Sequence, residues 1–282
     1  QRGRTRDMTS ILDFDFMRRA LVAAALVGLI APLVGVFLVQ RRLALLGDGM
    51  GHVALTGVGL AFLLGTAPIP TAMAAAVLGA FLIEFIRYRS RTAGDVALAL
   101  LFYGGIAGGV MFASLAPGKA SSSLNSYLFG SLSTVGEGDL LALGALCLVV
   151  VLVITVLGRE LFAVSLDPDV AAVQGIRVRV MSTLMAVLAA VVVVVGMRVV
   201  GLLLVSAIMI VPVAAAQQVT RSFRATAVLA IVIGLVASVS GLVGSFYVEV
   251  PPGPTIVLVA LLAFAVLATI AMPIRRRRRE AA

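Results

Sequence analysis

Tryptophan is absent from this 282-residue chain, and cysteine and histidine occur once each. A single thiol, Cys147, excludes an intrachain disulfide framework and any metal site built from several thiolates. It lies in the apolar run Leu146 to Leu157 and reads as a small buried hydrophobe. With His52 as the only imidazole, no serine or cysteine nucleophile has a second histidine to activate it. A nucleotide-binding loop Gly-x-x-x-x-Gly-Lys-Ser/Thr is also missing: the one Gly-Lys pair, Gly118-Lys119, has Ala113 where the first glycine is needed. Charged residues make up only 12% of the chain, about half of what a soluble domain of this length carries.

What is present is apolar. Hydrophobic residues make up 61% of the chain and the mean hydropathy is +1.16. A membrane span needs about 20 mostly apolar residues. Such runs lie at 17–39, 50–65, 69–86, 93–114, 138–157, 180–197, 199–219, 225–247 and 254–273. The expected fold class is an all-α polytopic membrane protein with about nine transmembrane helices, within a range of eight to ten. The second run is short and broken by glycine, and the sixth and seventh meet at Met197-Arg198 almost without a loop. The first run is too long for a cleavable secretory signal and has no small-residue cleavage site. Three parts follow: a polar amino-terminal segment, 1–16, a single transmembrane domain, 17–273, and a basic tail, 274–282. Met8 fits a natural start, which leaves Gln1 to Asp7 as either foreign to the natural chain or disordered.

The net charge of +9 does not point to nucleic acid, because the arginines fall between apolar runs and at the tail. Arg275 to Arg279 follow the last run directly and read as a cytoplasmic, lipid-facing anchor. With nine spans and the tail inside, the cytoplasmic loops hold Arg41 and Arg42, Arg87, Arg89 and Arg91, Arg159, Arg177 and Arg179, and Arg221 and Arg224. The opposite face keeps little beyond Lys119, Arg198 and the amino-terminal arginines. Arg18 and Arg19 break the pattern and would suit a cytoplasmic amino terminus.

Two loops are long. The outer one, 115–138, contains Pro117-Gly118-Lys119, a serine cluster and Tyr127-Leu128-Phe129-Gly130. The inner one, 158–180, contains Asp167-Pro168-Asp169 through Gly175, where Asp167 fits an N-cap, Pro168 the first helical position and Gly175 the carboxy-terminal cap. That predicts a two-turn helix; from local sequence a capped connector is the simpler account, and docking of a soluble partner the alternative. Gly104-Gly105 and Gly108-Gly109 form overlapping Gly-x-x-x-Gly pairs that let helix backbones approach. Pro212 is expected to kink or break its helix, which suits either a pathway lining or a tolerated proline.

Asp48 and His52 stand four residues apart in Gly47-Asp48-Gly49-Met50-Gly51-His52. A carboxylate and an imidazole at that spacing share one helix face, about 6 Å apart. Ionisable groups in a span are costly and face a polar path more often than lipid. Two accounts stay open: a pair of cation ligands, or a carboxylate paired with Arg41 or Arg42 beside an imidazole bonded to a carbonyl. Glu84, three residues before Arg87, reads as half of a surface ion pair. Glu137 and Glu249 read as outer-face residues that meet a binding protein or water.

Several stretches resemble one family in order and spacing. The chain is similar to the membrane permeases of bacterial ATP-binding-cassette importers for zinc, manganese or iron. The match is carried by Arg41-Arg42 through Gly47-Asp48 to His52, by Tyr127-Leu128-Phe129-Gly130, by Asp167-Pro168-Asp169 to Gly175, and by Met197-Arg198-Val199-Val200-Gly201 to Pro212, followed by Phe246-Tyr247 and Pro252-Gly253-Pro254. The resemblance implies a type II ABC importer-like permease in the bacterial cytoplasmic membrane, a permease homodimer, two cytoplasmic ATP-binding subunits and an extracytoplasmic metal-binding protein. It implies that the helix from Asp167, Pro168 and Asp169 to Gly175 is the coupling helix to the ATPase. Asp48 and His52 match the family's Asp-x-x-x-His positions, where the pathway binds metal.

No resident cofactor is expected; Zn²⁺, or next Mn²⁺, would be the transported substrate, and ATP hydrolysis would lie on another subunit. Zinc-type members can carry a second histidine in the fourth span, where this chain has Leu101-Phe102-Tyr103-Gly104. Two competing expectations are a gradient-driven carrier that uses Asp48 and His52 as a proton relay, and a permease for iron-chelate or cobalamin-type substrates.

Overall fold

The computed structural model describes residues 15–89, 94–117, 127–130 and 136–279. The polar segment up to residue 14, Lys119, the serine cluster before Tyr127 and the last three residues lie outside it. The order of elements is α1 (Asp15–Gln40), α2 (Ala44–Leu64), α3 (Pro68–Arg89), α4 (Gly94–Leu115), α5 (Glu137–Leu166), α6 (Pro168–Val173), α7 (Val178–Gly196), α8 (Leu202–Gln217), α9 (Phe223–Val248) and α10 (Pro252–Arg279). All regular structure among the described residues is helical, as expected for a bilayer protein: only a helix satisfies its own backbone polar groups there without closing a barrel.

Eight of these helices are long and apolar enough to cross a membrane. The run expected at 199–219 forms a shorter helix, α8, of 16 residues, about 24 Å long. It is cut short at its start by Gly201, which takes a left-handed φ of +95° against Leu128 and Phe129. Pro212 lies inside α8 without breaking it; the interruption comes at the glycine instead. Although short, α8 joins the two ends of the bundle. Its first residues adjoin 127–130 and Pro252-Gly253, and its last line a cavity with Gln40 and Phe223. Among the described residues the bundle thus has eight helices long enough to cross, with the short α8 running between its two ends beside them.

The two ends differ in charge. Arg41, Arg42, Arg87, Arg159, Arg177, Arg179, Arg221 and Arg224 gather at the end that carries α6, which the positive-inside bias makes cytoplasmic. At the other end each described arginine has a carboxylate: Arg18 with Asp15 at 4.0 Å, Arg19 with Glu137 at 3.4 Å, and Arg198 donating to Asp139. The exception at Arg18 and Arg19 has this physical form: the amino terminus of α1 sits outside, where acidic residues of α1 and α5 meet its arginines.

Close packing rests on small residues. A Cβ on Gly28 of α1 would meet the Gly234 carbonyl of α9 at 2.7 Å, and one on Gly105 of α4 would meet the His52 backbone of α2 at 2.5 Å. A Cβ on Gly109 would come within 3.0 Å of the Leu55 carbonyl group. The Gly104-Gly105/Gly108-Gly109 motif therefore has an address: Gly105, Gly108 and Gly109 seat α4 on α2, with Gly105 directly over the histidine, while Gly104 meets nothing. Without a hydrophobic difference between lipid and side chain, such fit is what holds spans together.

Candidate functional site

Asp48 and His52 both lie on α2, whose backbone from Ala44 onward is helical, so the four-residue spacing stacks them. His52 Nε2 stands 3.8 Å from Asp48 Oδ1, too long for a hydrogen bond. The Ser206 hydroxyl of α8 donates to the same Asp48 oxygen at 3.2 Å. Asp48 is 31% exposed and lines an open cavity of about 330 Å³ with Leu45, Leu98, Phe102 and Tyr103. His52 is set deeper, 5% exposed, behind the Phe102 ring, whose centroid is 4.1 Å from the imidazole in an edge-to-face arrangement. His52 Nδ1 is buried with no hydrogen-bond partner among the described residues. Buried polar atoms without partners are uncommon and mark sites that serve more than stability.

The competing account of Asp48 fails on geometry. Arg41 donates to Ser182 Oγ of α7 at 2.9 Å, not to Asp48, and burial, then the neighbouring Arg87, push its pKa below the ordinary arginine value against the opposing pull of Glu84. Nor does the imidazole make the carbonyl hydrogen bond that account needed. Glu84 and Arg87 do pair, at 2.5 Å, but their side chains are only 11% and 22% exposed. The pair expected at the surface is half-buried, because α7 covers that face of α3.

Among the described residues no group of three or more histidine, cysteine, aspartate or glutamate side chains gathers. One chain supplies one nitrogen and one carboxylate. Sequence reasoning missed Ser206, whose signal was its being the lone polar residue from Leu202 to Pro212. It noted Phe102 only as the place of a missing histidine; the fold makes it the lid over His52.

The short inner helix is capped as its sequence predicts. Asp167 Oδ1 accepts from the backbone N–H groups of Asp169, at 2.9 Å, and Val170, at 3.1 Å. Pro168 opens α6, and Gly175 takes φ +81° just beyond it. Asp169 lies in the first turn, where its charge favours the helix N-terminus. Ala171 alone is buried, against Phe37, Leu161 and Met181, while Val170 is exposed and Val173 is 90% exposed.

The profile of the family described as the ABC 3 transport family matches residues 13–271. The chain is similar to the manganese import system permease protein ScaB of Streptococcus gordonii, 32% identical over 268 residues that cover 95% of this chain and 96% of that protein. It is also similar to the manganese transport system membrane protein MntC of Halalkalibacterium halodurans, 32% identical over 257 residues, 90% of this chain and 87% of the other. Among solved structures it resembles one described as PsaBC from Streptococcus pneumoniae in complex with Fab, with a TM-score of 0.82 at 30% identity, covering 93% of this chain and 95% of that one.

Proposed function

The chain belongs to the ABC 3 transport family, and from that premise we propose that it is the multi-pass permease subunit of an ATP-driven importer of divalent transition-metal ions in a bacterial cytoplasmic membrane. The observation that carries this reading is the Asp48 carboxylate at the wall of an open cavity with an uncommitted imidazole 3.8 Å behind it. A tetrahedral ion held at about 2.0–2.2 Å by both groups would need them about 3.4 Å apart, a closure of about 0.4 Å. Two ligands make a poor resting site, which suits passage. In a homodimer with α2 near the two-fold axis, two Asp48 and two His52 side chains would complete an N₂O₂ set.

The cavity volume favours an ion over a bulky chelate. Six waters occupy about 180 Å³, so a hydrated ion fits the 330 Å³ beside Asp48. On ligand affinity Zn²⁺ precedes Mn²⁺ at an imidazole and a carboxylate. The similar proteins ScaB and MntC carry manganese in their names, and Phe102 stands where a second imidazole would strengthen a zinc site, so manganese ranks beside zinc as the substrate.

The partners follow from the same premise: a cytoplasmic ATP-binding subunit, for which Asp167, Pro168, Asp169 and Gly175 shape the coupling helix with Val170 and Val173 outward, and an extracytoplasmic metal-binding protein. This chain then carries no hydrolytic site of its own. In vesicles holding permease, ATPase and binding protein, Mn²⁺ uptake is expected to need ATP and to compete with free Zn²⁺. Uptake that persists without ATP but follows a proton gradient would instead establish a secondary carrier.

Ser206→Ala tests the support of the carboxylate. Losing one hydrogen bond to a half-exposed charge costs about 1 kcal/mol, so the apparent metal affinity of uptake is expected to weaken about fivefold with folded yield unchanged. An unchanged affinity would remove Ser206 from the site.

A further inference from the structure

One stripe of α1 is only partly covered by the other described helices. Val22 is exposed and Leu26, Leu29 and Leu33 are half-buried; at spacings of four, three and four they share one face. On one flank of that face, Gly28 and Pro32 take α9, through Gly234. On the other, Val27 meets Gly196 of α7, and α5 packs on both α1 and α7. The stripe is therefore the floor of a groove walled by α5 and α9, whose outward residues Leu148, Leu152, Val228 and Val232 are exposed and apolar.

One turn beyond Leu33, at the α6 end, Phe37 lines a cavity of about 790 Å³. Phe37 continues the floor, Ile154 and Gly158 form a wall, and Arg159 and Arg224 stand at the rim. The rings of Phe37, Phe162 and Phe223 close its end, with centroids 5.1 Å apart for Phe37–Phe223 and 4.6 Å for Phe162–Phe223. No carboxylate lines the cavity, and among the described residues neither arginine has one within 4.0 Å.

We infer that this groove holds one anionic phospholipid of the inner leaflet, with its phosphate between Arg159 and Arg224 and an acyl chain along Leu33, Leu29 and Leu26. Two unpaired guanidiniums suit a phosphodiester oxygen pair, and basic pockets between spans on the cytoplasmic side favour anionic headgroups. Depth agrees with charge. Phe37 to Leu26 is about 16 Å along the helix, half of a hydrocarbon core of about 30 Å. The site is separate from Asp48 and His52 and does not depend on which ion passes them.

The test uses the full permease in nanodiscs of equal phosphatidylglycerol and phosphatidylcholine, with retained lipid counted by native mass spectrometry. Retention of phosphatidylglycerol over phosphatidylcholine is expected to be at least about tenfold and to vanish in Arg159→Gln/Arg224→Gln. Arg177→Gln removes a charge from the same membrane face outside the cavity and should keep the wild-type ratio. Leu29→Trp, which fills the floor with both arginines intact, is expected to lower retention about fivefold or more.

Equal retention in wild type and the arginine variant would overturn the inference. So would displacement by excess inorganic phosphate, which would reveal a plain anion site. A third contrary result is crosslinking between copies through Val228→Cys in a Cys147→Ala background, which would put a second copy of this chain in the groove.

Discussion

His52→Ala and Asp48→Ala are each expected to lower metal uptake in reconstituted vesicles by about 100-fold or more, with assembly with the ATPase and basal hydrolysis retained. Losing a group that merely orients a ligand costs about 10–100-fold, and under the proposed assignment the ligand itself goes, in both copies of the proposed homodimer. The two variants should differ in one respect. Asp48 lines the open cavity, so its loss removes first contact with an entering ion. His52 lies behind Phe102, so its loss leaves entry intact and shortens residence. Radioactive Mn²⁺ uptake, read against ATP hydrolysis in the same vesicles, checks both. Full uptake by either variant would dissolve the assignment and leave the pair as a structural feature of α2.

Gly105→Val is the second large effect, and it acts through packing. A Cβ there would lie 2.5 Å from the His52 carbonyl carbon, 2.6 Å from its oxygen and 2.8 Å from the Val53 nitrogen. All three are backbone atoms that no rotamer change can move. α4 must therefore leave α2, and the Phe102 ring one turn away must leave His52. Overpacking of this kind costs about 3 kcal/mol or more, enough to shift a folding equilibrium by over about 100-fold. Gly104→Val is the matched control, since a Cβ at Gly104 meets nothing within 4 Å. Purified monodisperse permease should fall to a trace for Gly105→Val and stay near wild type for Gly104→Val. Equal yields would mean that α2 and α4 do not meet through this glycine.

The glycine pair shows where sequence reading stops. Gly104-Gly105 and Gly108-Gly109 announce a close helix contact, but nothing local says which of the four glycines make it, or that one partner is the backbone at His52. The inner helix is the opposite case. Asp167, Pro168 and Gly175 act within a few residues of themselves, so the cap at Asp169 and Val170 matched its expectation in detail. Asp48 and His52 were likewise legible as a pair, because helical spacing alone stacks them. Their surroundings were not: Ser206 arrives from 158 positions away, Phe102 from the fourth helix, and Arg41 was drawn off to Ser182, 141 positions distant.

By itself, the sequence determined that the chain lives in lipid, the order of its spans, how α6 is capped and which two ionisable side chains share a turn, though not every span's end: α5 runs on to Leu166, into the stretch expected as a loop. Each of these follows from interactions within a single segment, since the bilayer obliges every span to satisfy its own backbone hydrogen bonds. The tertiary structure decided the depth of His52 behind Phe102, the support of Asp48 by Ser206, and the partly covered stripe of α1 between α5 and α9. These depend on how spans fit against one another. In lipid that fit is selected by close contact of small residues from distant parts of the chain rather than by apolar pattern, so it leaves little periodic trace along the sequence.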